Sequence, residues 1–277
     1  MTRRWLVTGG SSGLGLALVR AVLAAGERVV ATGRRLAELE RLAEQYPEQL
    51  VPVRMEALDP ADCAAAVGLC AERFGGLDVL VNNAGAGVYG AVEEVSDEEL
   101  RGQLELLTIA PWRLARLALP LMRAQRSGHV VNVSSLAGRV GFPGLGAYVA
   151  GKFALEGMSA VLAAEVAPFG IRVTVVEPGG FATSYGTAMA ETADRRPEYQ
   201  EALAPMRAGL RAMATIPGIN QPEEFAALVL RAVAAEEVPL RLPAGQDAYG
   251  FLHGAVDADR AELSAAQAFA FALAEED

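Results

Sequence analysis

The chain has 277 residues, a formal net charge of −10 at pH 7 and two cysteines. This length suits one large α/β domain with a substantial core, and we predict a single domain over residues 1–277. The acidic balance argues against nucleic acid or an anionic membrane surface as a partner. Cys63 and Cys70 show no disulfide-like framework and indicate reduced thiols in a cytoplasmic protein. Only His129 and His253 could join them as ligands, so we assign no metal.

No secretion or membrane signal is expected from the sequence. The first strand begins almost at once, without the long apolar region of a signal peptide. No apolar run reaches membrane-spanning length without glycine, proline or charge. We therefore expect a cytoplasmic protein with no membrane partner.

The first predicted element is a short apolar strand at 5–8 that runs into a glycine-rich turn of pattern Gly-x-x-x-Gly-x-Gly. A helix with apolar periodicity follows and ends near Ala25. Backbone N–H groups at the start of such a helix can approach phosphates, because glycines carry no side chain to block them. The turn is therefore predicted to bind a nucleotide cofactor. The predicted contacts are Gly9, Ser11, Ser12, Gly13, Leu14 and Gly15.

Short β-branched runs alternate with helical segments along the rest of the chain. This alternation predicts α/β architecture, a doubly wound parallel sheet of Rossmann type with helices on both faces. The pattern loosens over 184–217, and the segment 255–277 is predicted to be a solvated, packing helical tail. Further strands are predicted at 28–32, 50–54, 78–81, 129–133, 171–176 and 239–242, and helices at 36–45, 60–74, 100–125 and 222–235.

The end of the second predicted strand bears on the choice of cofactor. An acidic residue at this place would bind the ribose 2′-hydroxyl of NAD, but Gly33 occupies it and Arg34 and Arg35 follow. Guanidinium groups would donate hydrogen bonds to a 2′-phosphate. We therefore predict NADP(H) rather than NAD(H). Alternatively one arginine, Arg35 more readily than Arg34, only caps or solvates the next helix.

Tyr148 and Lys152 stand four residues apart on a predicted helix, and Ser135 lies thirteen residues before the tyrosine. Positions i and i+4 share a helix face, so the phenol and the ammonium lie side by side. A nearby cation favours the phenolate and is expected to lower the tyrosine pKa from about 10. The serine hydroxyl can donate to the oxygen that the tyrosine protonates. This arrangement suits carbonyl reduction or alcohol oxidation beside a hydride donor.

Together these motifs resemble the short-chain dehydrogenase/reductase family over residues 3–184, in the branch with hydroxysteroid and retinol-type dehydrogenases. The resemblance implies a Rossmann-type domain and a nicotinamide cofactor. It also implies that Ser135 binds the substrate oxygen, that Tyr148 is the general acid or base, and that Lys152 lowers its pKa and holds ribose hydroxyls. The matching positions, in chain order, are 8–15, 58–59, 82–85, Ser135, Tyr148, Lys152, Pro178, Gly179 and Thr183.

The resemblance implies further cofactor contacts. Asp59 is expected to accept from the adenine amino group, although an aspartate before Pro60 also begins helices well. Asn82 or Asn83 could instead hold the sheet together. The other implied contacts are Asn83, Ala84 and Gly85 along the adenosine, and Pro178, Gly179 and Thr183 at the nicotinamide carboxamide.

One position departs from the family pattern. Many members carry an asparagine twelve residues before a Leu-Pro pair, where it helps to hold a water behind the lysine; here the position is Leu107. Leucine cannot form hydrogen bonds, which puts the usual proton relay in doubt. Pro111 has no N–H, so our hypothesis is that the freed Leu107 carbonyl holds the relay water. Alternatively Pro111 only kinks the helix and activity is slow, or Thr108 substitutes.

These features predict an NADP(H)-dependent oxidoreductase that interconverts a ketone or aldehyde and an alcohol on a hydrophobic small molecule. The segment 184–217 is expected to cover the substrate, with adaptable apolar side chains, although its methionines could equally pack on the core. Phe142 and the glycine-rich segment 141–146 are candidates for the opposite wall. The candidate lining residues of the covering segment are Tyr185, Met189, Tyr199, Met206 and Met213.

Two rival functions stay open at this point. The chain could bind NADP(H) without redox turnover, as a regulator or scaffold, or it could catalyse a non-redox cyclisation or isomerisation on the same fold. A homodimer or homotetramer is expected by family analogy, through the helix predicted at 100–125 and the helix that carries Tyr148.

Overall fold

A computed structural model of the protein describes residues 2–272. The strands are β1 (Arg4–Val7), β2 (Arg28–Gly33), β3 (Leu50–Arg54), β4 (Val79–Asn82), β5 (Val88–Tyr89), β6 (Gly128–Val133), β7 (Ile171–Pro178), β8 (Ala190–Glu191) and β9 (Arg241–Ala244). The helices are α1 (Gly13–Ala24), α2 (Ala37–Gln45), α3 (Pro60–Phe74), α4 (Asp97–Leu104), α5 (Ala110–Gln125), α6 (Gly146–Val166), α7 (Tyr185–Ala188), α8 (Pro197–Ala212), α9 (Pro222–Ala234) and α10 (Gln246–Ala272).

A seven-stranded parallel sheet forms the centre of the molecule, in the order β3-β2-β1-β4-β6-β7-β9. From β1 the chain builds the sheet outward through β2 and β3, and it then crosses back to place β4 on the other side of β1. The strand order therefore reverses between β1 and β4. A crevice for a ligand opens at such a reversal, outside the carboxyl ends of the strands. The predicted fold class, a doubly wound parallel sheet, is therefore confirmed.

Both faces of the sheet are covered by helices, because successive side chains of a strand point to opposite faces. In β1, Trp5 and Val7 pack with side chains of α1, α2 and α9, whereas Leu6 packs with α3, α5 and α6. All three side chains are fully buried. A strand buried on both faces has no polar alternation, which explains the continuous apolar run that marked it in the sequence.

The chain is helical from Asp97 to Gln125, as the sequence predicted for 100–125, but the helix is not regular throughout. α4 and α5 are joined by a π-helical turn, Glu105–Ile109, in which the Ala110 N–H donates to the Glu105 carbonyl five residues earlier. π-turns of this kind are frequent at functional sites. Pro111 stands at the exit of the turn and cannot donate a hydrogen bond.

The C-terminal third also differs from the predicted elements. The last strand is β9, two residues later than predicted, and 184–217 contains α7, β8 and α8 rather than irregular chain. α10 begins at Gln246, and Leu252 is its last buried residue within the described part. The predicted tail is thus helical as far as Ala272 and exposed as far as Phe271, but the predicted packing is confined to its start, and 273–277 lie outside the described residues. No helix within 2–272 is both long and apolar enough to cross a membrane.

Candidate active site

The glycine-rich turn between β1 and α1 depends on close backbone contacts. Gly9 and Gly13 have φ values of +65° and +52°, in the left-handed region that favours glycine. A Cβ at Gly15 would overlap the Gly9 carbonyl and the Asn83 amide. Larger side chains are thereby excluded at Gly9, Gly13 and Gly15.

The N-terminus of α1 is open to an anion. Ser12 occupies the capping position with extended backbone, but its exposed side chain makes no capping hydrogen bond, and the first helical turn contains no acidic residue. The first N–H groups of a helix need external partners and carry partial positive charge. A phosphate group would satisfy them, as the sequence predicted for Gly13, Leu14 and Gly15.

Thr8 and Asn83 join the glycine turn to the end of β4. The Asn83 amide donates to the Thr8 and Gly9 carbonyls at 2.9 and 3.2 Å, and the Thr8 hydroxyl accepts from the Asn83 and Ala84 N–H groups at 3.0 Å. The Asn83 side chain therefore shapes the turn. Ala84 and Gly85 follow it into the crevice, where a Cβ at Gly85 would stand 4.0 Å from Lys152 Nζ.

Asn82 holds the sheet together, which was the alternative that the sequence left open. Its amide donates to Asn132 Oδ1 on β6 at 2.8 Å, and Asn132 donates to Ser159 Oγ on α6 at the same distance. All three side chains are buried. This chain of hydrogen bonds fixes α6, which carries Tyr148 and Lys152, against two central strands.

The position predicted to choose the cofactor lies beside the glycine turn. The Ser11 side chain covers Gly33, and a Cβ at Gly33 would stand 2.5 Å from Ser11 Oγ. Arg34 and Arg35 follow and are exposed. Within residues 2–272 neither guanidinium forms a hydrogen bond or an ion pair. Both arginines are consequently free to meet a phosphate at this edge of the crevice.

Asp59 caps α3, as an aspartate before a proline can. Its Oδ1 accepts from the Ala61 N–H at 2.7 Å and from the Asp62 N–H at 3.4 Å. The side chain is exposed at the end of the loop after β3. The adenine contact of Asp59 stays a prediction.

Tyr148 and Ser135 lie together at the carboxyl end of β6. Ser135 Oγ accepts from the Ala137 N–H at 3.1 Å, which places the hydroxyl at the start of a short 3-10 turn, Leu136–Gly138. Burial raises the pKa of Tyr148, while the nearby Tyr185 and Ser135 hydroxyls act to lower it. The sequence predicted a lowered pKa through Lys152, and this is wrong here, because burial outweighs the other influences. A neutral phenol is the form suited to donate a proton.

Lys152 is buried behind the tyrosine. Its Nζ donates to the Val133 carbonyl at 2.7 Å and lies 5.7 Å from the centre of the Tyr148 ring. Burial lowers its pKa to about 8, and Glu156 on the same helix acts to raise it. The ammonium is therefore held by β6 rather than by the phenol, and it can exchange a proton near neutral pH.

The π turn brings Leu107 and Thr108 against α6. Leu107 is fully buried, and a Cβ at Gly151 would stand 3.0 Å from it. The Thr108 hydroxyl donates to the Gly151 carbonyl at 2.9 Å, one residue before Lys152. The Ala110 N–H donates to the Glu105 carbonyl, five residues earlier. The next N–H would donate to the Leu106 carbonyl in the same register or to the Leu107 carbonyl in α-helical register, but Pro111 has no N–H. The relay through the Leu107 carbonyl stays a prediction.

The loop after β7 is held by two residues that sequence reasoning missed. The Gly180 N–H donates to Asp247 Oδ2 at 2.6 Å, and the Asn220 amide donates to the Gly180 carbonyl and to Asp247 Oδ1 at 2.6 and 2.7 Å. Both partners come from distant parts of the chain. No local pattern in the sequence marks them.

The predicted nicotinamide residues lie on this loop and face the glycine turn. The Gly179 N–H, which follows Pro178 at the end of β7, donates to the Ala244 carbonyl of β9 at 2.9 Å. Thr183 stands across from the turn, with its methyl carbon 3.6 Å from the place of a Cβ at Gly13. The structure thus brings Thr183 next to Gly13 of the glycine turn.

The segment after Thr183 covers Tyr148. β8 pairs in parallel with β5, and the Tyr89 hydroxyl donates to the Leu203 carbonyl of α8 at 2.6 Å. Met213 lies apart, next to Gly180. The side chains that pack in one cluster with Tyr148 include Phe142, Tyr185, Met189, Tyr199 and Met206.

Comparison with known proteins identifies the family. The family model described as short chain dehydrogenase matches residues 3–194. The chain belongs to the short-chain dehydrogenase family. The matched residues include Ser135, Tyr148 and Lys152, which the structure brings together.

Similar proteins cover most of the chain. An oxidoreductase of Botryotinia fuckeliana is 38% identical over 249 residues, which are 90% of each protein. A 3-ketodihydrosphingosine reductase of Bacteroides thetaiotaomicron is 32% identical over 87% of each protein. The crystal structure of a short-chain dehydrogenase from Streptomyces avermitilis superposes with a TM-score of 0.89 and 41% identity over 97% of each chain.

Proposed function

We propose that the protein is an NADP(H)-dependent oxidoreductase that interconverts a ketone or aldehyde and an alcohol on a hydrophobic small molecule. The observation that carries the proposal is the position of Tyr148. Its phenol is buried beside Ser135 at the carboxyl edge of the sheet, and Lys152 follows one helical turn later. This is the arrangement that delivers a proton to a carbonyl oxygen.

The crevice beside Tyr148 fits a dinucleotide. At one end the start of α1 lacks a side-chain cap and has no acidic residue in its first turn, and Gly9 and Gly13 carry no side chain in the turn beside it. At the other end the loop that contains Gly179 and Gly180 is held by β9 and α10. A pyrophosphate at α1 and a nicotinamide at the loop are the assignments that follow.

The preference for NADP(H) rests on the edge of the crevice beside β2. Ser11 fills the space over Gly33, so an acidic side chain could enter there only if Ser11 moved. The exposed Arg34 and Arg35 are free for charge-assisted hydrogen bonds. These two features favour a 2′-phosphate over a 2′-hydroxyl.

Each residue of the site has its own role in the proposed carbonyl reduction. When bound, the nicotinamide supplies the hydride, and the protein supplies position and electrostatics. Ser135 donates a hydrogen bond to the substrate oxygen, which Tyr148 protonates as it becomes an alcohol. Lys152 stabilises the phenolate left on Tyr148, and alcohol oxidation runs the same steps in reverse.

The side chains of the covering segment that cluster with Tyr148 are predominantly apolar. Phe142, Met189, Met206 and Leu210 pack against the apolar cluster that contains Tyr148, which favours a hydrophobic carbonyl compound. The relative from Bacteroides thetaiotaomicron, named as a reductase of a keto compound, supports the reductive direction as the first to test.

We also propose that the protein forms a homo-oligomer through α5 and α6. Trp112 and Phe153 on these helices are 55% and 47% exposed, and Ile109 and Val161 are exposed nearby. Exposed apolar side chains of this size support an interface. Light scattering in solution should give at least twice the chain mass, and a monomer would contradict the proposal.

NADPH consumption with hydrophobic ketones and aldehydes tests the function. Turnover is expected with NADPH in preference to NADH, and Tyr148→Phe should abolish it. Arg41→Ala provides a control variant, because its exposed guanidinium pairs with Glu38 on α2. Binding of NADPH without turnover of any carbonyl compound would overturn the proposal in favour of a regulator, or of a non-redox enzyme on this fold.

A further inference from the structure

The Tyr185 hydroxyl is a buried polar group beside Tyr148 that has no assigned role. The ring centres of the two tyrosines are 5.9 Å apart, with an angle of 51° between the rings. The Tyr185 hydroxyl oxygen is inaccessible to solvent and, within residues 2–272, has no hydrogen-bond partner. It faces the Tyr148 hydroxyl closely enough for each to influence the pKa of the other, but without the geometry of a hydrogen bond.

The surroundings of this hydroxyl show that the backbone makes room for it. A Cβ at Gly87 would stand 2.9 Å from Tyr185 Oη and 2.8 Å from Met189 Cε. The hydroxyl is thus enclosed between the chain after β4, a methionine side chain and Tyr148. A buried hydroxyl without a partner costs free energy, so an oxygen of a bound molecule is the natural acceptor for its proton.

The other tyrosines of the same cluster already have acceptors. The Tyr89 hydroxyl donates to the Leu203 carbonyl at 2.6 Å, and the Tyr199 hydroxyl donates to Glu93 at 2.5 Å. Tyr148 is assigned to the reacting oxygen. Within the described residues, Tyr185 is therefore the tyrosine of this cluster whose hydroxyl still lacks an acceptor and can donate to the substrate.

Counting hydrogen bonds shows which substrate atom Tyr185 can bind. A carbonyl oxygen has two lone pairs, and in the proposed mechanism Ser135 and Tyr148 occupy both. A third donor at the same oxygen would have no lone pair left. Because the two tyrosine hydroxyls face each other, the acceptor for Tyr185 must lie close to the reacting carbonyl.

We propose that Tyr185 is a specificity-determining residue that binds a second oxygen of the substrate, one or two carbons from the reacting carbonyl. The substrates are then ketones with a neighbouring hydroxyl, carbonyl or ester group on an otherwise apolar skeleton. This proposal rests on the proposed function and narrows it from hydrophobic ketones in general to oxygenated ones.

Matched ketones test the proposal. α-Hydroxyacetophenone differs from propiophenone, and β-hydroxypropiophenone from butyrophenone, only by a hydroxyl in place of a methyl group. Comparing Tyr185→Phe with the original protein on each pair cancels the intrinsic reactivity of the ketone. For at least one pair, we expect the variant to lower kcat/KM for the hydroxyketone about tenfold more than for its methyl counterpart.

Two controls and a pH profile separate the possible outcomes. Tyr46→Phe, at the end of α2, removes a phenol hydroxyl outside this cluster and should treat both members of a pair alike. Circular dichroism checks that each variant folds. If Tyr185 acted on Tyr148 instead, Tyr185→Phe would shift the pH profile of kcat/KM equally for both ketones, and such an equal effect would overturn the proposal.

A binding measurement keeps the inference distinct from the proposed function. Calorimetry with NADP⁺ present should show that the original protein binds a hydroxyketone more tightly than its methyl counterpart, and that Tyr185→Phe removes this preference. Absence of NADPH turnover with every ketone would refute the proposed function alone. Equal binding of both members of each pair by the original protein would refute the role of Tyr185.

Discussion

Ser11 lies directly over Gly33, so that a Cβ added at Gly33 would stand only 2.5 Å from the serine hydroxyl oxygen. The glycine turn and the end of β2 are therefore shaped together. The space that an acidic side chain would need at this position is filled by Ser11. Under the proposed function, discrimination between NADPH and NADH depends on the arginines that follow.

Arg34→Ala is expected to weaken NADPH binding by about ten- to a hundredfold, because a charge-assisted hydrogen bond to the 2′-phosphate is lost. The dissociation constant for NADH should change far less, since NADH lacks that phosphate. Fluorescence titration with both cofactors measures the difference. Arg35→Ala should have the smaller effect of the two, and equal losses for NADH and NADPH would contradict the assignment.

Leu107→Asn tests whether the family asparagine is needed. We expect the free energy of unfolding to fall by about 3 kcal/mol, because an amide would replace a fully buried leucine. Turnover should not rise strongly if the carbonyls opposite Pro111 hold the relay water. Urea unfolding and kcat are measured together, with Leu107→Met as a control of similar volume. A strong increase in kcat would contradict the backbone relay.

Asp247→Ala is expected to raise KM for NADPH by about tenfold, since the loop that is to position the nicotinamide loses the acceptor of the Gly180 N–H. The exposed Asp257 lies further along α10, and Asp257→Ala serves as the matched control. Steady-state kinetics at saturating ketone separates the two variants. An equal response of both would show that α10 has no part in cofactor binding.

His129 should make stability fall in acid. It is buried in β6 and its Nε2 lies 2.9 Å from Thr174 Oγ1; burial lowers its pKa from 6.5 to about 3, helped by the charges of Arg172 and Arg3. The unfolded chain binds the proton more readily, so stability is lost as pH falls from about 6.5 toward 3. Between pH 7 and pH 5 the loss is about 2 kcal/mol.

The variant His129→Gln keeps a polar partner for Thr174 but cannot be protonated in this range. Urea unfolding at the two pH values should show a smaller loss for the variant than for the original protein. The same loss in both proteins would mean that other groups, such as buried carboxylates, dominate the acid response.

The parts of the site that the sequence predicted are those with local patterns. The glycine turn is one continuous segment. Tyr148 and Lys152 are four residues apart on one helix, so their spacing predicts that they share a face. Asn220 and Asp247 hold the loop after β7 through contacts with residues far away in the chain, which no spacing encodes. Tyr185 was predicted only as a lining residue, because its position beside Tyr148 depends on the fold. The lowered pKa predicted for Tyr148 was wrong because burial depends on the covering segment, whose helices the sequence pattern did not indicate.

The enclosure of Tyr148 has a consequence for the kinetics. The residue is 8% exposed and packs with side chains of α7 and α8, and Gly186 of α7 lies close to the Leu210 carbonyl of α8. We therefore expect these two helices to move as a unit, with one opening and one closing in each turnover. Such steps are often slower than hydride transfer. The steady-state rate should therefore follow solvent viscosity, while deuterium at the transferred hydrogen should change kcat very little.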